Sequence, residues 1–218
     1  HGPDAITEDY LEELLGRAMD LRLNVLKLPA TTDAFRVIHS DGDSLSGLVV
    51  DKFGDTLSIE VHSLGIYQRL PRWLPVLRER LGVKRIVVEV DPQIAFIEKI
   101  QVNTSLSEAV RTVRIREHGV RYEVNFAEGH KTGFFCDQRE NRLRFSQLVS
   151  GARVLDLCCY TGGFAVTAAT LGGAADVTGV DLDEKAIEQA KRNANMNQAK
   201  VKWVHADAFA YARQMQQN

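Results

Sequence analysis

Three cysteines in 218 residues (Cys136, Cys158 and Cys159) are too few and too badly spaced for a disulfide framework, and no C-x-x-C pair occurs. A reduced, cytoplasmic protein is the expected setting. Proline is scarce too: five, beside sixteen glycines, excludes a collagenous chain and argues against a disordered one. No run approaches the ~20 apolar residues of a membrane helix, so no membrane partner is expected. The opening His1-Gly2-Pro3-Asp4 has neither an initiator Met nor a basic-then-apolar leader. No secretory signal is read there, and the sequence is expected to be a piece of a longer one. Internal repeats and low-complexity tracts are lacking as well.

What is present is a globular composition, 44% hydrophobic and 26% charged, in a length that suits one or two domains. The formal net charge of -2 is unevenly spread: residues 1–63 carry net -7, residues 64–150 net +5 and residues 151–218 net 0. A locally basic middle permits contact with a polyanion without demanding it.

The pattern divides the chain into an N-terminal helix and linker (1–33), a central α+β domain (34–128), and an α/β segment (129–218). Leu11, Leu14, Leu15, Ala18 and Leu21 recur at helical spacing after Thr7-Glu8-Asp9, an acidic first turn, and Pro29 ends that region. Strands are expected at 34–38, 48–50, 56–61, 85–90, 112–116 and 120–126, with a helix over 64–81 that Pro71 and Pro75 threaten. From Gln138 onward the order changes to alternation. A helix over 138–149 precedes strand 153–157, helix 164–171, strand 177–180, helix 184–195, strand 201–204 and the start of another helix. That order is the signature of a parallel, doubly wound sheet, here only half of one. Its uncovered edge calls for residues beyond this chain or a partner, a homodimer among them.

In an open parallel sheet, ligands bind beyond the carboxyl ends of the strands. Asp156, Asp181 and Asp207 lie at or just past such ends, spaced 25 and 26 residues apart, one strand–helix repeat each time. Three carboxylates along one rim match a nucleoside ligand that bears an amine, a ribose diol and an exocyclic amino group. Each could instead cap the following helix, but all three doing only that is the less economical reading. Tyr160-Thr161-Gly162-Gly163 joins the first of these strands to its helix, and paired glycines let the backbone pass close to a ligand. The turn is not G-x-G-x-x-G, which argues against a dinucleotide and a nicotinamide-linked oxidoreductase.

Val154-Leu-Asp-Leu-Cys-Cys-Tyr-Thr-Gly-Gly-Phe164 resembles motif I of class I S-adenosylmethionine-dependent methyltransferases. Val180-Asp-Leu-Asp183 resembles their acidic motif II, and Ala206-Asp-Ala208 their motif III. Gly129-His-Lys-Thr-Gly-Phe-Phe-Cys-Asp-Gln-Arg-Glu-Asn141 is more specific: it resembles the segment before the Rossmann-like domain in bacterial cytosine-C5 methyltransferases of large-subunit ribosomal RNA. The stretch from Phe35 to Asp55 is similar to that family's central domain, and the resemblance runs from about Asp4 to Asn218. It implies a partial Rossmann-like methyltransferase sheet preceded by a small α+β domain. The family's N-terminal RNA-binding PUA domain is not expected within these residues, and its Asp-Pro-Pro motif and nucleophilic cysteine would follow Asn218, so the catalytic residue is expected outside this chain.

The resemblance also implies site roles. Asp181, with Leu182 beside it, would meet the ribose of S-adenosylmethionine, and Asp207 with Ala208 the adenine edge. Asp156, Tyr160, Thr161, Gly162 and Gly163 would hold the methionine part. Lys131, Phe135, Gln138 and Arg139 would close over it. Phe134 and Phe135 could equally be core packing, and Arg139, Arg142 and Arg144 a solvated helix face. Neither Cys136, Cys158 nor Cys159 is expected to be the nucleophile. The implied partner is ribosomal RNA and the implied product 5-methylcytosine, the rival reading being a non-catalytic RNA- or cofactor-binding module. Arg114 and Arg116 alternate with Val113 and Ile115 and would share one strand face, near Arg111 and Arg121, as a solvated face or a phosphate-tracking one.

Overall fold

The structure, a computed structural model, describes residues 7–126 and 134–216 and groups the chain into two compact units, residues 1–113 and 114–218. In the first, α1 (Glu8–Asp20) starts at Thr7, whose hydroxyl accepts the Tyr10 N–H at 3.2 Å, and runs on into a π-helical turn over Leu21–Val25. A four-stranded sheet follows in the order β1 (Ala34–His39), β2 (Leu48–Phe53), β3 (Thr56–Val61), β4 (Arg85–Glu89). The first three strands are antiparallel. β4 joins β3 in parallel through a crossover on α2 (Leu64–Leu81).

That helix is unbroken despite Pro71 and Pro75. Its buried face of Ile66, Tyr67, Leu70, Trp73, Leu74, Leu77 and Leu81 fills the core, which outweighs the two missing N–H donors. A short helix the sequence did not announce, α3 (Pro92–Ile97), follows β4. Asp91-Pro92, just past the strand expected at 85–90, is a helix start: the Asp91 carboxylate accepts from the N–H groups of Gln93 and Ile94, and proline sits at the first helical position, where its missing donor costs nothing.

The second unit holds the hairpin β5–β6 (Thr112–Glu117 and Val120–Asn125), α4 (Arg139–Ser146), and three parallel strands: β7 (Arg153–Leu157), β8 (Asp176–Asp181) and β9 (Lys202–His205). Between and after them come α5 (Gly163–Thr170), α6 (Glu184–Met196) and α7 (Ala208–Met215). The expected α/β alternation is therefore present, with strand order β7-β8-β9. Val154, Ala165, Ala168 and Val177 form its core.

The hairpin groups with this unit, whereas the sequence pattern ran the central domain on to residue 128. Polar side chains of α6 and of its C-cap residue Asn197 make the difference. Asn193 accepts the Glu123 N–H at 2.8 Å, Gln189 donates to the Glu123 carbonyl at 3.0 Å, and Asn197 accepts the Arg121 N–H at 2.9 Å. At one edge of the three-stranded sheet, β7 has a single strand neighbour among the described residues, and Leu155 and Leu157 are 40% and 41% exposed there. Among the described residues, no helix is long and apolar enough to cross a membrane.

Candidate cofactor site at the strand ends

The strand registers place the three aspartates as a staircase. Asp156 pairs with Gly179 across β7–β8, and Asp181 pairs with His205 across β8–β9. Gly179 and Asp181 are two residues apart, so Asp156 and Asp181 project from the same face, one step apart. Asp207 lies two residues past the end of β9.

Each carboxylate is fixed by backbone donors. Asp156 accepts the Ala165 N–H in the first turn of α5 at 3.0 Å. Its own pKa is pushed up to about 6, mainly because burial disfavours the charge, with the nearby Asp181 carboxylate adding to the rise. Asp181 takes the Tyr160 N–H on one oxygen at 2.7 Å and the Asp183 N–H on the other at 2.9 Å. Asp207 caps α7, accepting the Ala210 N–H at 2.8 Å. The helix-cap reading thus holds for Asp156 and Asp207 but not for Asp181, whose donors lie in turns, Asp183 being the cap of α6. These bonds do not exhaust any of the three, because an ionised carboxylate offers about four lone-pair sites.

Between Asp156 and Asp181 runs the turn of residues 158–163. Cys158, Tyr160 and Gly162 all have positive φ (60°, 48° and 81°), a costly conformation for the first two and one that clusters at functional sites. Gly162 has no free room for a side chain: an added Cβ would stand 2.6 Å from Cη2 of Trp203 and 3.0 Å from Cβ of Ala190. Thr161 is buried, and its carbonyl accepts from the Asn193 amide at 2.9 Å. The Gly163 carbonyl accepts from the hydroxyls of Thr167 at 2.8 Å and Tyr122 at 3.2 Å. On the far side of Asp181, Leu182 is 68% exposed, and its carbonyl is 2.8 Å from Nε2 of His205. Ala208 is the first residue of α7, next to its Asp207 cap.

Of the residues expected to close over this rim, Lys131 lies outside the described residues. Phe135 does stand by the turn, its ring edge-on to that of Tyr160 with centroids 5.4 Å apart. Gln138 is the N-cap residue of α4, its side-chain carbonyl accepting from the Asn141 amide at 2.9 Å; Arg139 begins the helix and pairs with Glu140 at 3.0 Å. Phe134, by contrast, is buried and packs on Tyr122 at 5.0 Å, a core role.

Arg142 is not on a solvated face at all. It is 3% exposed and grips Glu117 with two hydrogen bonds, at 2.7 and 2.8 Å. Nothing in the linear pattern announced this pair, nor Trp203 under the glycine turn; for the latter, a glycine inside strand β8 was the available signal of a close approach. Cys136 and Cys159 are buried and Cys158 is exposed, and burial together with the charges of Asp156 and Asp181 pushes the Cys159 thiol well above its ordinary pKa.

Known proteins resemble this chain. Residues 154–217 match the family model described as a methyltransferase domain. A candidate ribosomal RNA large subunit methyltransferase of Methanocaldococcus jannaschii is 34% identical, over 94% of this chain and 52% of its own length. Ribosomal RNA large subunit methyltransferase I of Aliivibrio fischeri is 31% identical, over 99% of this chain and 55% of its own. The chain therefore spans about half the length of the curated relatives it matches. A crystal structure of a candidate methyltransferase in complex with S-adenosylhomocysteine superposes with a TM-score of 0.81 at 26% identity, covering 99% of this chain and 56% of that one. Over nearly all of its residues the chain is thus similar to large-subunit ribosomal RNA methyltransferases, and its second unit has the Rossmann-like class I fold of S-adenosylmethionine-dependent methyltransferases.

Proposed function

We propose that this chain is the cofactor-holding part of a cytoplasmic, S-adenosylmethionine-dependent methyltransferase that forms 5-methylcytosine in large-subunit ribosomal RNA. The observation that carries the reading is the staircase Asp156–Asp181–Asp207 around the strained 158–163 turn, at the carboxyl ends of three parallel strands. The donor set fits the ligand. Asp181 keeps acceptor capacity for a ribose diol, the exposed Leu182 offers an apolar face to adenine, and Asp207 with the Ala208 backbone is placed for the adenine edge. Asp156, whose burial raises its carboxyl to about 6, is ionised at physiological pH and gains by pairing with an ammonium group such as that of the methionine part. Tyr160 to Gly163 present backbone to that part, with Phe135, Gln138 and Arg139, and by resemblance Lys131, on the opposite side.

Bound S-adenosylmethionine supplies a methyl group activated on a sulfonium. The residues of this chain hold and orient it, and alignment is what such a transfer needs from a protein. Cytosine C5 becomes nucleophilic only when a thiolate adds to C6, and neither buried thiol here is built for that: Cys159 is held protonated and Cys136 is enclosed. By the family resemblance the nucleophile is assigned to residues beyond Asn218, and this chain alone to binding. Names of the relatives support RNA as the substrate.

Calorimetry with S-adenosylhomocysteine and with NADH tests the cofactor: saturable binding of the first and none of the second is expected, and the reverse refutes it. Mass spectrometry of ribosomal RNA incubated with the full-length gene product and S-adenosylmethionine reads the product. 5-Methylcytosine is expected; a different methylated base overturns the product, and no methylation leaves the binding-module reading in its place.

A further inference from the structure

Among its described residues, the second unit buries the ion pair Arg142–Glu117, with both side chains at most 3% exposed. A pair so enclosed is weak grounds for stability, because desolvating two charges offsets most of their attraction, so its retention calls for another explanation. The contacts of Arg142 supply one. Its guanidinium forks onto Glu117 at the end of β5, and the same terminal nitrogen that reaches Glu117 also donates to the carbonyl of Phe135 at 3.0 Å. Its plane lies 4.6 Å from the ring centroid of Phe134, and its side chain packs on Gly163, where an added Cβ would sit 3.3 Å from the arginine Cδ. One side chain therefore touches the hairpin, the 134–135 segment and the first residue of α5. Phe135 in turn sets its ring edge-on to Tyr160, whose N–H is held by Asp181.

We infer that Arg142, locked by Glu117, is a positioning residue for the cofactor site: it holds the Phe135 backbone so that the Phe135 ring fixes the Tyr160 turn beside Asp181. Lysine cannot reproduce the bidentate grip on Glu117 while donating to the Phe135 carbonyl from the same side, so it is no equivalent substitute. The inference rests on the cofactor reading above and adds to it a residue that touches no ligand.

The test is S-adenosylhomocysteine affinity of the whole chain by calorimetry, with thermal unfolding beside it. Arg142→Lys keeps the charge and loses the fork; Arg142→Met with Glu117→Leu replaces the pair by apolar side chains of similar bulk, which buried sites often accept without loss of stability. Both are expected to weaken binding about tenfold. On a Phe135→Leu background the same changes should weaken it no further, because the route from Arg142 runs through that ring. Phe135 is half-exposed, so its variant folds whatever the arginine does. Wild-type affinity in the Met/Leu variant overturns the inference, as does an equal loss with and without Phe135. Asp181→Asn separates the two levels: if it too binds as wild type, the cofactor reading has failed, and if it weakens binding while the Arg142 variants do not, only the positioning role has.

Discussion

Gly162→Ala should destabilise the second unit by about 2–4 kcal/mol, a sum of two effects with different origins. Gly162 has φ +81°, and a left-handed backbone costs a residue with a Cβ roughly 1 kcal/mol or somewhat more. The added carbon would also sit 2.6 Å from Cη2 of Trp203 and 3.0 Å from Cβ of Ala190, and such overpacking costs about 1–3 kcal/mol. The structure contains its own control. Gly151 has φ +69° with nothing within 4 Å of the Cβ position, so Gly151→Ala carries the backbone cost alone. The difference between the two variants isolates the clash.

Hydrogen exchange of the α5 amides in increasing urea reads the stability of this unit without requiring the whole chain to unfold in one step. Adding Trp203→Phe, which deletes the offending indole atoms, should return part of the loss in Gly162→Ala and leave Gly151→Ala no better than before. If Gly162→Ala and Gly151→Ala cost the same to within about 0.5 kcal/mol, the limit of ordinary additivity, the indole does not support the turn and the packing argument is wrong.

Asp181→Ala should weaken S-adenosylhomocysteine binding by about 1–3 kcal/mol, since ligand donors would lose their acceptor, and calorimetry that finds unchanged affinity would reduce the residue to a structural clasp. Asp156 titrates at about 6 in the fold but near 4 when unfolded, so the folded state binds the extra proton between those values; this group's contribution to stability is intact below pH 4 and is lost as pH rises through 6. Urea unfolding of Asp156→Asn should consequently show a gain over the parent at pH 7.5 that is absent at pH 4, and a gain that does not change with pH would count against the shift. If the ligand ammonium pairs with Asp156, binding near pH 6 releases a proton, visible as a dependence of the calorimetric heat on buffer. Native-state alkylation followed by mass spectrometry should label Cys158 and spare Cys136 and Cys159; equal labelling would mean that the turn opens in solution.

The alternation after residue 150 was legible because each element there has one dominant period: Val-Leu-Asp-Leu reads as a buried strand, and Ala186, Ile187, Ala190 and Ala194 mark the inner face of α6, where all four are buried. What escaped was every contact made by polar residues across elements. Gln189 and Asn193 look like ordinary surface residues on a helical wheel, yet both are buried and pair with the backbone of β6, which is why the hairpin groups with the second unit. Arg142 and Glu117 stand 25 residues apart on a helix and a strand, and no spacing rule joins them. Short α3 was hidden because Asp-Pro punctuates strand ends and helix starts alike.

The opposition between helix cap and ligand acceptor, natural when only a sequence is at hand, dissolves in the geometry. A carboxylate that floats on a loop would pay rotamer entropy on meeting a ligand, and that loss would come off the affinity. Asp156, Asp181 and Asp207 have already given it up: each is held by at least one backbone N–H, in the first turn of α5, in the turns at Tyr160 and Asp183, and in the first turn of α7. The remaining lone pairs are then offered from fixed positions on the rims of parallel strands, and the helix starts that orient the oxygens also temper their charge. Backbone clasping, by a helix start at Asp156 and at Asp207 and by two turns at Asp181, is therefore the means by which these residues become a preorganised set of acceptors, and the 25- and 26-residue spacing that revealed them is the length of one strand–helix unit.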